Sequence, residues 1–172
     1  MSLTYEEALD FLFPRTTTIK FGLGTTRALL RSLGNPHEVV PSIHIGGTNG
    51  KGSVCTLVAA ALREAGWRVG LYTSPHLISF RERIQVDGVP ISEEAVAMWT
   101  ARLLSPILER KATFFEATTA LAFADFAMPR LLRRAWRPGL LNGILLWSTM
   151  SGAVIGGLAL MFAGIAQGSL IT

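Results

Sequence analysis

The chain has 172 residues, enough for one domain with a real core or one domain plus an appendage. Its net charge of +4, from 16 Lys+Arg against 12 Asp+Glu, is not spread along the chain. Residues 1–127 carry 12 basic and 12 acidic side chains, and the whole excess is Arg130, Arg133, Arg134 and Arg137, which excludes a nucleic-acid face distributed over the folded part.

Thr4-x-x-Glu7 has capping-box spacing, and the apolar residues after it predict a helix to Pro14. A polar, glycine-punctuated loop over Thr16–Gly24 follows. A second helix is expected over Thr26–Leu33, ended by Gly34-Asn35-Pro36. The acidic, signal-free start reads as cytoplasmic, and the single cysteine, Cys55, fits a reducing compartment.

Ile43-His44-Ile45 predicts a short strand. It runs into Gly46-Gly47-Thr48-Asn49-Gly50-Lys51-Gly52-Ser53 and then a helical run over Val54–Ala65. Strand, glycine-rich loop, lysine plus hydroxyl, then helix is the arrangement that holds nucleoside triphosphate phosphates. Glycines let backbone N–H groups close on the anion, Lys51 supplies a cation, and Ser53 a hydroxyl for Mg²⁺. The spacing is one residue off the usual Gly-x4-Gly-Lys-Ser/Thr pattern. Trp67–Tyr72 predicts a second strand, giving a βαβ unit and hence a parallel sheet.

Thr73-Ser74-Pro75-His76-Leu77 leaves the end of that strand, on the side where α/β sheets bind ligands. Arg81–Gly88 alternates charged and apolar residues before Asp87-Gly88, which predicts a hairpin. Ser92 caps a long amphipathic helix to about Lys111, with an interruption expected at Pro106. Thr113-x-x-Glu116 repeats the capping-box spacing and opens Phe114–Ala127, apolar on nearly all sides as a buried helix is.

From Pro138 to Thr172 no residue is charged, and 143–166 is long and apolar enough for a transmembrane helix, with the preceding arginines on its cytoplasmic side. The chain therefore divides into two segments. Residues 1–127 form the N-terminal part of a P-loop βαβ α/β domain, and 128–172 an Arg-rich, then apolar and helical tail.

Gly47-Thr48-Asn49-Gly50-Lys51-Gly52-Ser53, Thr73-Ser74-Pro75-His76-Leu77, Arg81-Glu82-Arg83-Ile84 and Phe115-Glu116-Ala117-Thr118-Thr119, with Phe21-Gly22-Leu23, resemble the N-terminal part of folylpolyglutamate synthase/dihydrofolate synthase. That family is related to the Mur ligases, and the resemblance covers about residues 4–127. It implies the incomplete central domain of a Mur-type ligase. In that activity ATP phosphorylates a folate or dihydropteroate carboxylate and L-glutamate's amine attacks the acyl phosphate. By the resemblance Gly47, Thr48, Asn49, Gly50, Lys51, Gly52 and Ser53 hold ATP, and Ser53 and Ser74 contact Mg²⁺. Lys20, Phe21, Gly22 and Leu23, with Thr113, Phe114, Phe115 and Glu116, line the pterin pocket. Each has a plain structural competitor: Ser74-Pro75 as a turn, His76 as a packed imidazole, Glu116 as half of its capping box, Phe21 and Phe115 as core.

After Ala127 the family continues with a strand ending in a Glu-containing metal-binding motif, which is not found in 128–172. The expectation is a chain truncated and inactive as written. The alternative is a nucleotide-binding fragment without ligase activity, membrane-anchored through 143–166.

Overall fold

The computed structural model describes residues 3–17, 20, 22–128 and 144–148. Ten elements make up its α/β architecture: α1 (Tyr5–Leu12), α2 (Gly24–Ser32), β1 (Ser42–Ile45), α3 (Lys51–Glu64), β2 (Val69–Tyr72), β3 (Ile84–Val86), β4 (Val89–Pro90), α4 (Glu93–Arg110), α5 (Phe114–Ala127) and β5 (Ile144–Ser148). The strands lie in the order β1-β5-β2-β3-β4. β5 is parallel to both β1 and β2, whereas β3 and β4 add antiparallel to the far side.

β2 explains how the layers form. Successive side chains of a strand point to opposite faces. Val69 and Leu71 pack with Cys55 and Ala59 of α3, whereas Tyr72 joins the larger cluster made by α1, α2, α4 and α5. Gly70, on the same face as Tyr72, lies against the ring of Phe126. The sheet therefore has α3 on one face and the other helices on the opposite one. The larger core is centred on Leu12, Leu29, Leu30, Leu103, Ile107, Phe114 and Leu121, each at most 1% exposed. α5 is buried from Phe114 through Asp125 apart from Phe115 and Glu116, as its all-round apolarity requires.

The predicted capping boxes are formed at Thr4/Glu7 and Thr113/Glu116, and Ser92 caps α4. Other expectations shift. α3 begins at Lys51 rather than Val54, because Gly50 takes the left-handed conformation (φ 73°) that lets the loop turn straight into the helix. Pro106 does not interrupt α4, which absorbs it near its C-terminal end. The charged stretch expected to begin a hairpin is a 3-10 turn over Phe80–Arg83, capped by Ser79 and Glu82. The hairpin starts at Ile84, its Asp87-Gly88 turn having both residues at positive φ.

The tail brings the main correction. Ile144–Ser148, expected as the start of an apolar helix, is a strand between β1 and β2. A central parallel strand is apolar on both faces, so hydropathy alone does not separate it from a helical run. Nor is the sheet left as a bare βαβ unit, because β5 fills the gap between β1 and β2. The rest of the 143–166 span, residues 143 and 149–166, lies outside the described residues, as do Arg130, Arg133, Arg134 and Arg137. Among the described residues, no helix is long and apolar enough to cross a membrane.

Candidate active site

Since β1, β5 and β2 run parallel, their carboxyl ends share one edge of the sheet, where ligands of open α/β sheets sit. β1 delivers the glycine-rich loop to that edge and β2 the Thr73–Leu77 loop. β5 ends between them, with Ser148 in register with Ile45.

The glycine-rich loop is exposed along 46–50. A Cβ at Gly46, Gly50 or Gly52 would meet nothing, so packing does not require glycine at these positions. Gly50 needs it for its φ of 73°. Lys51 is the buried exception, at 9% exposure. Its Nζ donates to the carbonyls of Gly47 (2.6 Å) and Thr48 (2.8 Å), which folds the ammonium into the loop. Ser53 stands exposed on the first turn of α3, a helix of 14 residues whose N-terminal N–H groups and dipole favour an anion.

Ser74 precedes a cis peptide bond to Pro75 and is half-buried. Thr73 N–H donates to the Arg83 carbonyl (2.9 Å), tying this loop to the 3-10 turn. Glu82 holds the same loop from outside, its carboxylate accepting from the amides of Leu77 (2.8 Å), Ser79 (2.9 Å) and Ile78 (3.1 Å). Those amides keep its pKa below the usual carboxylate range.

His76 Nδ1 accepts from Arg83 Nε at 2.7 Å, which puts the imidazole proton on Nε2. Burial, then the Arg83 charge, pushes the His76 pKa down. The ring stands at 6.1 Å from Phe13 and 6.4 Å from Phe80, centroid to centroid. Phe13 in turn stacks on Phe114 at 5.7 Å. These rings join the Thr73–Leu77 loop to the start of α5. Below them, Tyr72 Oη shares a 2.7 Å hydrogen bond with Thr118 Oγ1, and burial raises the phenol's pKa.

The two segments read as a pterin pocket also meet. Lys20 Nζ donates to the carbonyls of Arg110 (2.9 Å) and Lys111 (2.5 Å), at the turn that leads into Thr113–Glu116. Its ammonium therefore caps the C-terminus of α4. Glu116 Oε2 accepts from Thr113 N–H (2.8 Å), the reciprocal half of the capping box. Phe114 is buried, Phe115 is 45% exposed beside it, and Gly22 and Leu23 are at least partly exposed. Phe21 lies outside the described residues. Sequence reasoning missed Phe13 and Arg83 as members of this cluster. Arg83 reads as part of an alternating charged face with Arg81, yet Arg81 turns outward to Ile91 O and Glu93 while Arg83 is buried.

For Mg²⁺ the edge offers the hydroxyls of Ser53 and Ser74. Mg²⁺ sites ordinarily include one or two carboxylates besides substrate phosphates. Among the described residues no group of three or more His, Cys, Asp or Glu could hold a metal, and the central strand ends in Ser148. The described side chains thus do not make a metal site on their own.

No protein-family model matches the chain. It is 46% identical over 130 residues to a probable bifunctional folylpolyglutamate synthase/dihydropteroate synthase of Haloferax volcanii, covering 72% of this chain and 16% of that protein. It is 39% identical over 137 residues to the dihydrofolate synthase/folylpolyglutamate synthase of Bacillus subtilis, covering 74% and 31%. Among solved structures, E. coli FolC in complex with DHPP and ADP superposes with a TM-score of 0.69 at 28% identity, over 84% of this chain and 33% of that one. The chain thus spans between a sixth and a third of the length of these relatives.

Proposed function

We propose that this chain, whose N-terminal 70% is similar in sequence to folylpolyglutamate and dihydrofolate synthases and whose fold is theirs, supplies the ATP-binding part of such an ATP-dependent ligase. The observation that carries this reading is the Gly47–Ser53 loop at the carboxyl edge of the sheet, beside the Thr73–Leu77 loop.

The reaction adds L-glutamate to a folate or dihydropteroate carboxylate. A carboxylate is a poor electrophile because its charge repels nucleophiles and oxide leaves badly. Attack of its oxygen on the γ-phosphorus of ATP expels ADP and gives an acyl phosphate. The amine of L-glutamate then attacks the carbonyl carbon, and phosphate leaves with the C–O bond. Most of the barrier reduction comes from positioning and from neutralising the phosphoryl charge.

In this reading the backbone of Gly47, Thr48, Asn49, Gly50 and Gly52 cradles the phosphates, and Lys51 exchanges its two loop carbonyls for phosphoryl oxygens. Ser53 and Ser74 contribute hydroxyl oxygens; a Mg²⁺ ion bound there would be held mainly by the nucleotide and would add charge neutralisation. Gly22, Leu23, Thr113, Phe114 and Phe115 border the pterin, with Lys20 and Glu116 shaping the pocket through the caps they make. Residues 1–127 form the nucleotide-binding unit, to which the strand within 128–172 is added. A cytoplasmic setting, with its supply of ATP and L-glutamate, suits this reaction.

The test is calorimetric titration of the full chain with a non-hydrolysable ATP analogue. Saturable binding weakened at least about tenfold by Lys51→Ala is expected, the loss of a charge-assisted contact. Equal affinity in the variant would overturn the assignment of the loop. Glutamate- and dihydropteroate-dependent ADP release reports on the ligase reaction itself.

A further inference from the structure

Arg83 is a buried cation with no ion-pair partner among the described residues. Its residue is 7% exposed, with Cζ 5.0 Å from the centroid of the Phe114 ring. Nε is used by His76, whereas Nη1 is buried with no hydrogen-bond partner. The ion pairs among the described residues are Arg68–Asp87 and Arg81–Glu93, and neither involves Arg83. Its nearest acid in sequence, Glu82, is committed to three backbone amides. The remaining neighbours, Tyr72 and His76, have their pKa values shifted toward the neutral form.

An uncompensated guanidinium in such surroundings is costly, and a fold tolerates it where a ligand brings the counter-charge. Position supports this. The Arg83 carbonyl is bonded to Thr73 N–H, so the residue sits beside the loop that leaves β2 at the ligand-binding edge. The ring under its guanidinium, Phe114, opens α5 and is stacked on Phe13, so Arg83 also lies at the start of that helix. Lys51, on a different loop, is occupied with its own backbone carbonyls.

We propose that Arg83 Nη1 is a second oxyanion site, separate from the glycine-rich loop, which takes a phosphoryl or carboxylate oxygen of a bound reactant. His76 is its positioning residue, fixing the plane of the guanidinium by accepting from Nε. The assignment of the oxygen to a reactant rests on the function proposed above; the existence of the anion site does not. Two cations approaching from separate loops suit a step in which a carboxylate and a phosphoryl group must be brought together against their mutual repulsion.

The test uses the full chain labelled with ¹⁵N-arginine. The Arg83 Nε–H resonance, identified by its absence in Arg83→Lys, is followed while inorganic phosphate is added. A saturable shift that persists in Lys51→Met is expected. No shift, an unsaturable drift, or a shift abolished by Lys51→Met would overturn the proposal. Two further titrations identify the source of the oxygen. Movement with a non-hydrolysable ATP analogue assigns a phosphoryl oxygen, and movement with dihydropteroate a carboxylate. A response to phosphate alone leaves the anion site standing and removes the ligase reading. Arg83→Met should weaken the ligand that moves the resonance at least tenfold while Arg83→Lys recovers part of the loss; unchanged affinity in Arg83→Met would also overturn it.

Discussion

Gly70→Ala tests the packing that carries α5, and with it the start of the candidate pocket, onto the sheet. A Cβ on Gly70 would lie 2.8 Å from Phe126 Cδ1 and 2.9 Å from Cε1 and Cγ. Restoring an ordinary 3.4 Å contact requires the ring or the strand to retreat by about 0.6 Å, in a core packed at crystal-like density. Overpacking of this kind costs about 1–3 kcal/mol. Acting against it, alanine reduces the conformational freedom of the unfolded chain, worth about 0.4–1 kcal/mol in favour of the variant. The steric term wins, and the expected net loss is roughly 1–2 kcal/mol. Urea unfolding of the full chain should show a lower midpoint at unchanged slope. The melting temperature should fall by about 2–4 °C per kcal/mol lost. Phe126→Ala removes all three clashing atoms, so the double variant should be more stable than the sum of the singles by about 1 kcal/mol. A loss below about 0.5 kcal/mol in Gly70→Ala, or strict additivity with Phe126→Ala, would rule out a steric conflict between Gly70 and Phe126.

Glu116→Gln keeps an acceptor for Thr113 N–H and should stay within about 0.5 kcal/mol of wild type, whereas Glu116→Ala opens the capping box and should cost about 1 kcal/mol. Equal losses by urea titration would mean that the charge, not the hydrogen bond, is what α5 uses. His37, His44 and His76 are each held below the usual 6.5 by burial. Between about pH 6.5 and their lower folded values the unfolded chain binds more protons, so stability is full above 6.5 and falls as pH drops through the folded values. Unfolding free energies that stay flat or rise from about pH 7 to 5 would contradict this. Lys20→Met removes two hydrogen bonds at the C-terminus of α4 and should cost about 0.5–1 kcal/mol, with faster amide exchange in the last turn. Unchanged exchange there would argue against the capping role.

How much of this was readable in advance depended on whether a signal was local. Capping boxes, the Asp87-Gly88 turn and the glycine-rich loop are encoded within a few residues, and each appears where its spacing puts it. Non-local outcomes were not readable. The bond from Lys20 to the end of α4 joins residues about ninety apart, and no local pattern distinguishes it from a ligand-binding lysine. Arg81 and Arg83 look alike in sequence, and only the placement of Phe114 and His76 decides which one is buried. Ile144–Ser148 is the clearest case, because five apolar-rich residues suit a central strand and the start of a helix equally well, and the partner strands decide. That placement bears on the chemistry. The central strand comes out between the strands that lead into the glycine-rich loop and the Thr73–Leu77 loop, and its last residue there is Ser148, in register with Ile45. In the function proposed above, an edge that gathers phosphoryl and carboxylate groups would meet two cations, Lys51 and Arg83, and among the described residues no group of three or more acids or histidines that could hold a metal. Charge neutralisation by these residues falls on that pair, so combining Lys51→Met with Arg83→Met should abolish anion binding that either variant alone only weakens.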